Sequence, residues 1–328
     1  MSRLRRAVLK TALLGGSVAA AAALALGPGS TSALAAGSGD ANMTMQASPD
    51  FDATTSTPVT LTANFAVPAG APAPTGTVTF NVDGSTPAGC ANVAVTSLQA
   101  TCAAGTLSAG FHNFTVDYSG DSNYQPTNAG IFLYPVAQTV SSVKVAASDP
   151  EPVWGEGVTF TATVTANGKP VTGGTVQWSV DGTAAGSPVA VGAAGTVTLG
   201  PLSNLAIGSH TITAGFSGTG QVAASTGSVT VTVGKAATTT TSLTADQQSW
   251  SATVRPVAPG AGQPTGTVTF SIGPLRVGTA PVGANGVATL KIGINGRALA
   301  FTATYSGDGH FTGSSGTHRF SPFPVPGL

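Results

Sequence analysis

Charge is scarce in this sequence. Of 328 residues, 12 are Lys or Arg and 12 are Asp or Glu. Past the first ten residues no basic residues cluster, so there is no electrostatic footprint for nucleic acid and no polybasic run for lipid headgroups. Cysteine is scarcer still, at two, which excludes a disulfide-dense scaffold and a multi-cysteine zinc site. Aromatic residues make up 6%. Beyond the first 26 residues no apolar run reaches the length of a membrane span. Catalytic signatures are missing as well: there is no G-x-S-x-G, no H-E-x-x-H, no C-x-x-C and no G-x-x-x-x-G-K. No cofactor, metal site or catalytic residue is expected, and the chain reads as a non-enzyme.

Small, polar and β-branched residues are abundant instead. Gly (44) and Pro (22) together form about a fifth of the chain, and Thr, Ser and Val fill much of the rest. That mix disfavours helix interiors and suits short strands joined by turns. The first 35 residues form an export leader: Arg3, Arg5 and Arg6, then an apolar stretch from Ala12 to Leu26, then "ALA" at 33–35. Its Ala/Gly-rich core is short and weakly hydrophobic for an uncleaved anchor of about 20 residues. "LRRAVLK" at 4–10 resembles a twin-arginine signal, with Leu4 and Val8 departing from the pattern, so the route is either Sec or Tat. Removing the leader takes away Arg3, Arg5, Arg6 and Lys10 and leaves a net charge of −4.

The mature chain repeats itself. "PTGTVTF" occurs at 74–80 and at 264–270, with "TGGTVQW" at 172–178 between them. Aligned on Phe80, Trp178 and Phe270, the copies lie 98 and 92 residues apart. A second landmark, "VDYSGDSNY", "AGFSGTGQV" and "ATYSGDGHF", places Tyr118, Phe216 and Tyr305 at 38, 38 and 35 residues beyond the first. A period above 90 residues is that of a small domain and too long for a solenoid unit. Within each copy apolar residues alternate with Thr or Ser, as in Val78, Phe80, Val82 and Phe114, Val116, Tyr118. That is the period of strands with one buried face. "VDG" at 82–84 and 180–182 and "ANG" at 284–286 supply turns. Several short strands with such turns predict an all-β chain of three two-sheet sandwiches. The expected bounds are 1–35 leader, 36–47 lead, then domains at 48–137, 138–235 and 236–328. Phe80, Trp178, Phe270, Tyr118, Phe216 and Tyr305 are the expected core landmarks.

Cys90 and Cys102 lie symmetrically about Thr96 in what reads as a hairpin, which would set them opposite each other. In an exported chain a disulfide is the preferred reading, ahead of two buried thiols or metal ligation.

The segments "PVWGEGVTFTATV" (152–164), "PTGTVTFNVDG" (74–84) and "AGFHNFTVDYSGDSNY" (109–124) resemble the bacterial immunoglobulin-like repeats of secreted actinobacterial and other surface proteins. The resemblance spans about residues 45–328 and implies three tandem immunoglobulin-like sandwiches. It implies no particular function, since such modules serve as stalks, spacers, adhesins and companions of enzymes. The second copy departs at "SGTGQV", and the third lacks the "GxH" element.

His112 and His210 occupy the same place in copies one and two, where copy three has Leu299. A residue replaced by Leu within one chain reads as structural rather than as a base. Asp121, Asp308, Asp83 and Asp181 sit in turn sequences and read as Asx-type turns ahead of calcium ligands. Trp178 and Trp250 fall at inward positions. Trp154, before a strand and beside Gly155, is the one candidate for a glycan-stacking ring. The expectation is therefore an exported monomeric spacer or adhesive stalk, extracellular or on the cell surface, with an unidentified envelope, glycan or protein partner and no nucleic acid. The alternative is an array of carbohydrate-binding modules on extracellular or wall polysaccharide.

Overall fold

The structure, a computed structural model, describes residues 41–245, 248–292 and 300–319. The expected leader at 1–35, residues 36–40 of the lead and Leu299 lie outside them. Every regular element among the described residues is a strand, and no helix there is long and apolar enough to cross a membrane.

Three sandwiches follow one another along the chain. The first has β1 (Asn42–Ser48), β2 (Ala53–Thr54), β3 (Pro58–Ala66), β4 (Thr77–Val82), β5 (Val93–Ala94), β6 (Gln99–Thr106), β7 (Gly110–Tyr118) and β8 (Thr127–Ala137). Its sheets run β1-β3-β6 and β2-β8-β7-β4-β5. The second has β9 (Ser141–Ala147), β10 (Val158–Ala166), β11 (Lys169–Pro170), β12 (Thr175–Val180), β13 (Thr183–Ala184), β14 (Val189–Ala190), β15 (Thr196–Leu202), β16 (Gly208–Phe216) and β17 (Ser225–Val233). Here β10 carries β9, β11 and β15, while β13-β12-β16-β17 form the facing sheet with β14 on β12. The third has β18 (Thr238–Ala245), β19 (Ser249–Pro256), β20 (Thr267–Ile272), β21 (Leu275–Pro281), β22 (Val287–Lys291), β23 (Ala300–Tyr305) and β24 (Ser314–Arg319). Its sheets are β18-β19-β22 and β21-β20-β23-β24.

The alternation in sequence becomes alternation in burial. Along β4, Val78, Phe80 and Val82 point inward while Thr77, Thr79 and Asn81 stay half-exposed, and β10 repeats the pattern. The six landmark aromatics are at most 3% exposed, and Trp250 is 2% exposed. Each sandwich has its own interior: Leu61, Phe80 and Phe114 in the first, Phe160, Trp178 and Ile212 in the second, Trp250, Phe270 and Phe301 in the third. In the third, Trp250 stacks on Phe301 with centroids 4.6 Å apart.

A close approach of backbone and ring explains why the glycine before the middle strand (Gly76, Gly174, Gly266) is kept in all three copies. A Cβ on Gly76 would lie 2.5 Å from the Gly120 carbonyl oxygen and 2.7 Å from the Tyr118 ring, and one on Gly174 would lie 2.6 Å from the Phe216 ring. The glycine lets the strand start beneath the late-strand aromatic and the "SG" loop, which pack on it.

Cys90 and Cys102 are bonded, with Cα atoms 5.3 Å apart, and both are buried. The geometry differs from a simple hairpin. The turn falls at Ser97 and Leu98, both with positive φ, and Thr96 faces Gln99. A ladder from that turn would not oppose 90 and 102. Instead β5 pairs with β4 in one sheet and β6 with β3 in the other. Cys90 lies beside β4, where its carbonyl accepts the Phe80 N–H at 2.9 Å. The bond thus staples the two sheets across the interior.

Candidate functional site

Four aspartates and two histidines with hydrogen-bonded side chains gather at the loop ends of the sandwiches. In "VDG", Asp83 and Asp181 take φ of 49° and 50°, and the following glycines are also positive, a two-residue hairpin turn. Their carboxylates do not close local Asx turns. They reach across to the "GxH" element before the late strand. His112 Nδ1 donates to Asp83 Oδ2 at 2.6 Å, and the Asn113 N–H donates to Oδ1 at 2.8 Å. In the second sandwich His210 Nδ1 donates to Asp181 Oδ2 at 2.7 Å, and the Thr211 N–H donates to Oδ1 at 2.8 Å. The backbone N–H of Asn113 and the His112 ring hold Asp83 below the usual carboxylate range. The His210 ring and the Thr211 N–H do the same for Asp181.

His210 is the residue nearest to a catalytic geometry, having an aspartate behind it. Its other nitrogen, Nε2, donates to the Ala206 carbonyl at 2.8 Å. Asp181 first, and then that carbonyl, raise its pKa. With both nitrogens donating, the ring has no lone pair to take a proton from a nucleophile. It is a charged clasp between two turns.

The "SGD" loops form a second clasp. Asp121 Oδ1 accepts the N–H groups of Asn123 and Tyr124, a true Asx turn, at 2.8 and 2.9 Å. Its Oδ2 accepts the Thr75 N–H at 2.6 Å, the Thr75 hydroxyl at 3.1 Å and the Tyr118 hydroxyl at 3.0 Å. Asp308 repeats this with the His310 and Phe311 N–H groups and with Thr265, whose N–H and hydroxyl both donate at 2.7 Å. The N–H of Thr75 and then that of Asn123 hold Asp121 far below the usual range. For Asp308 burial pushes upward, but Thr265 and the two loop N–H groups outweigh it. In the second sandwich Thr219 takes the aspartate's place, and its hydroxyl accepts the Val222 N–H at 3.1 Å. The residue matching Thr75 there is Gly173. Donor and acceptor have changed together. With their oxygens filled by N–H and O–H donors, these carboxylates offer no open cluster for a cation, and no group of three or more metal-ligating side chains occurs among the described residues.

Trp154 is half-buried and turned toward the third sandwich. Its ring stacks on His310 with centroids 3.9 Å apart. The Trp154 backbone N–H donates to the Gly234 carbonyl at 2.8 Å, and its backbone carbonyl accepts the Ala261 N–H at 3.2 Å. With Val153 it packs against the cluster of Trp250, Phe270 and Phe311. Next to it, Gly155 has φ of 82°, and a Cβ there would lie 2.3 Å from the Ala261 carbonyl oxygen. The ring face on His310 is closed to a sugar. The "WG" dipeptide builds a joint between two sandwiches. Sequence reasoning missed that joint and the Asp–His clasps.

A family model described as bacterial Ig-like domain (group 3) matches residues 45–140, 145–234 and 235–320. A search among curated proteins finds none that matches. Among solved structures, the chain is similar to a tetra-tandem repeat from the extending region of a large adhesion protein. Identity is 18%, covering 86% of this chain and 74% of that one, with a TM-score of 0.38. It is also similar to a Ca2+-stabilised adhesin with which an Antarctic bacterium binds ice, at 20% identity over 80% and 69% of the chains and a TM-score of 0.29. A third is a putative membrane anchored protein from Corynebacterium diphtheriae, at 14% identity over 70% and 67%, with a TM-score of 0.32. At such scores these likenesses carry no argument about function.

Proposed function

The chain belongs to the bacterial Ig-like domain (group 3) family, and from that premise we propose that it is a non-catalytic, exported spacer or adhesive stalk at the cell envelope. The proposed modules are 48–137, 138–235 and 236–328, following a leader at 1–35, with β1 of the first sandwich reaching back to Asn42. The supporting observation is how the chain uses its few reactive side chains. Asp83, Asp181, Asp121 and Asp308, with His112 and His210, close the loops of their own sandwiches. What faces solvent is chiefly Thr, Ser, Gly and Ala, which attract little nonspecifically and suit a spacer. The partner is an envelope, glycan or protein surface met by the array as a whole.

A host lacking the chain should attach less to surfaces under flow and regain attachment when the chain is restored; unchanged attachment removes the adhesive reading. The carbohydrate-binding alternative is tested with a panel of wall and plant polysaccharides. Retention of wild type and loss with Trp154→Ala would favour it. Absence of binding to every polymer would remove it.

A further inference from the structure

We propose that the second and third sandwiches move as one rigid body, because Trp154 seated on His310 stops rotation about the short link between them. Both sandwiches lie in one compact unit of the chain. Residues 234–237 join β17 to β18. Gly234 is bonded to the second sandwich. Its N–H donates to the Pro152 carbonyl and its carbonyl accepts the Trp154 N–H, both at 2.8 Å. Ala236 is bonded to the third. Its N–H donates to the His310 carbonyl and its carbonyl accepts the Thr312 N–H, both at 2.9 Å. Ala236 is also fully buried, and the Val257 N–H holds the next carbonyl, that of Ala237, at 2.9 Å. Lys235 lies between the two anchored residues. Since peptide bonds are planar, the freedom left to the link is the few soft dihedrals around Lys235.

A pivot at one point leaves orientation free, and a second contact away from it removes that freedom. Trp154 supplies the second contact. Its ring stacks on His310 with centroids 3.9 Å apart and 21° between the planes. A Cβ on Gly262 would lie 3.4 Å from the indole Nε1, so the ring also borders the 260–262 loop. The Ala261 N–H donates to the Trp154 carbonyl at 3.2 Å, and Gly155 meets the Ala261 carbonyl with no space for a Cβ between them. The second sandwich therefore grips the third at two loops, around 261 and around 310. A turn about Lys235 would have to break those contacts together.

The same two places meet earlier in the chain with other residues. The Thr55 N–H donates to the Ala137 carbonyl as that of Trp154 does to Gly234. The Thr55 hydroxyl donates to the carbonyl of Gln221, which follows Phe216 at the interval by which His310 follows Tyr305. The plan of the contact is shared, and the pair of rings is what 154 and 310 add to it. In a stalk such a locked pair would pass on a pull without bending between its units. That use rests on the proposed function, and the rigidity does not.

The test is residual dipolar couplings of the leaderless full chain in a dilute aligning medium. One alignment tensor should fit the amides of β9–β17 and of β18–β24 in the wild type. Trp154→Thr with His310→Gln puts the residues of the earlier contact in place of the rings. It should split the fit into two tensors of different magnitude. The Ala261 amide should then exchange about 30-fold faster, the equivalent of about 2 kcal/mol for a half-buried tryptophan and its stack. Couplings that fit within each sandwich show that the units are folded. Two tensors in the wild type overturn the proposal, and so does a single tensor in the folded double variant, which would assign the rigidity to the link alone. If that variant does not fold, Gly155→Ala takes its place, with a Cβ wedged against the Ala261 carbonyl and the same two outcomes; if neither folds, the wild-type tensors decide. The couplings are read on purified protein, so the lock can fail while the stalk reading stands, and the reverse.

Discussion

Replacing Trp154 with Ala should destabilise a sandwich to which Trp154 does not belong in sequence. The ring lies between β9 and β10 of the second sandwich, yet it packs on the interior of the third and stacks on His310. A tryptophan side chain buries up to about 250 Å². Burying half of it, at about 25 cal/mol per Å², is worth roughly 3 kcal/mol. Contacts that relax after truncation, and burial already present in the unfolded chain, bring the expected loss to about 2 kcal/mol. For a unit of this size that corresponds to a fall in melting temperature of about 8–16 °C. Calorimetry gives the size of the shift, and hydrogen exchange read by peptide locates it. Faster exchange should appear in 248–292 and 300–319, with the β12–β16 ladder of the second sandwich little changed. Loss of protection confined to the second sandwich, or no shift at all, would refute the idea that this ring is a joint.

Three other outcomes follow from the same contacts. Reducing the disulfide, or Cys90→Ala with Cys102→Ala, frees a loop of 12 residues; chain entropy puts the cost at about 3 kcal/mol, seen in denaturant as an earlier transition for the first sandwich alone. The clasp between His210 and Asp181 makes the second sandwich pH-sensitive. The raised His210 adds stability below its unfolded value of 6.5 that fades as pH rises through the folded value, and the lowered Asp181 adds stability above 3.8 that fades on acidification. Melting of that unit should therefore be highest between about pH 4 and 6.5 and fall on either side, and His210→Leu should weaken the fall on the alkaline side; a wild-type profile that shows no fall on either side of that window contradicts the clasp. Trp178→Phe should be tolerated within about 1 kcal/mol, measured by urea unfolding, because the buried indole N–H has no hydrogen-bond partner and Phe80 and Phe270 fill the matching place in the other sandwiches.

The middle and late strands were readable because they keep a two-residue period, and burial follows that period directly in β4 and β10. The six aromatic landmarks were readable for the same reason. The cysteine pairing was also readable, but the path between the two was not. Symmetry about Thr96 assumes one sheet, and nothing local shows that β5 and β6 part into different sheets. The clasps left a signal of another kind. Asp83 and His112 are Asp181 and His210 in copy two, then Gly273 and Leu299 in copy three, and Thr75 with Asp121 becomes Gly173 with Thr219. Such paired changes between copies mark contacts, although each residue taken singly looks like an ordinary turn. Trp154 was illegible because its neighbours come from the next sandwich, about 80 to 160 residues away in sequence.

Where the host places the chain is the most direct test of an exported stalk. Intact cells treated with protease, then fractionated into medium, wall, membrane and cytosol, should yield the leaderless protein outside the cytoplasm and cleaved without lysis. Full-length protein recovered from the cytosol and protected until lysis would contradict it.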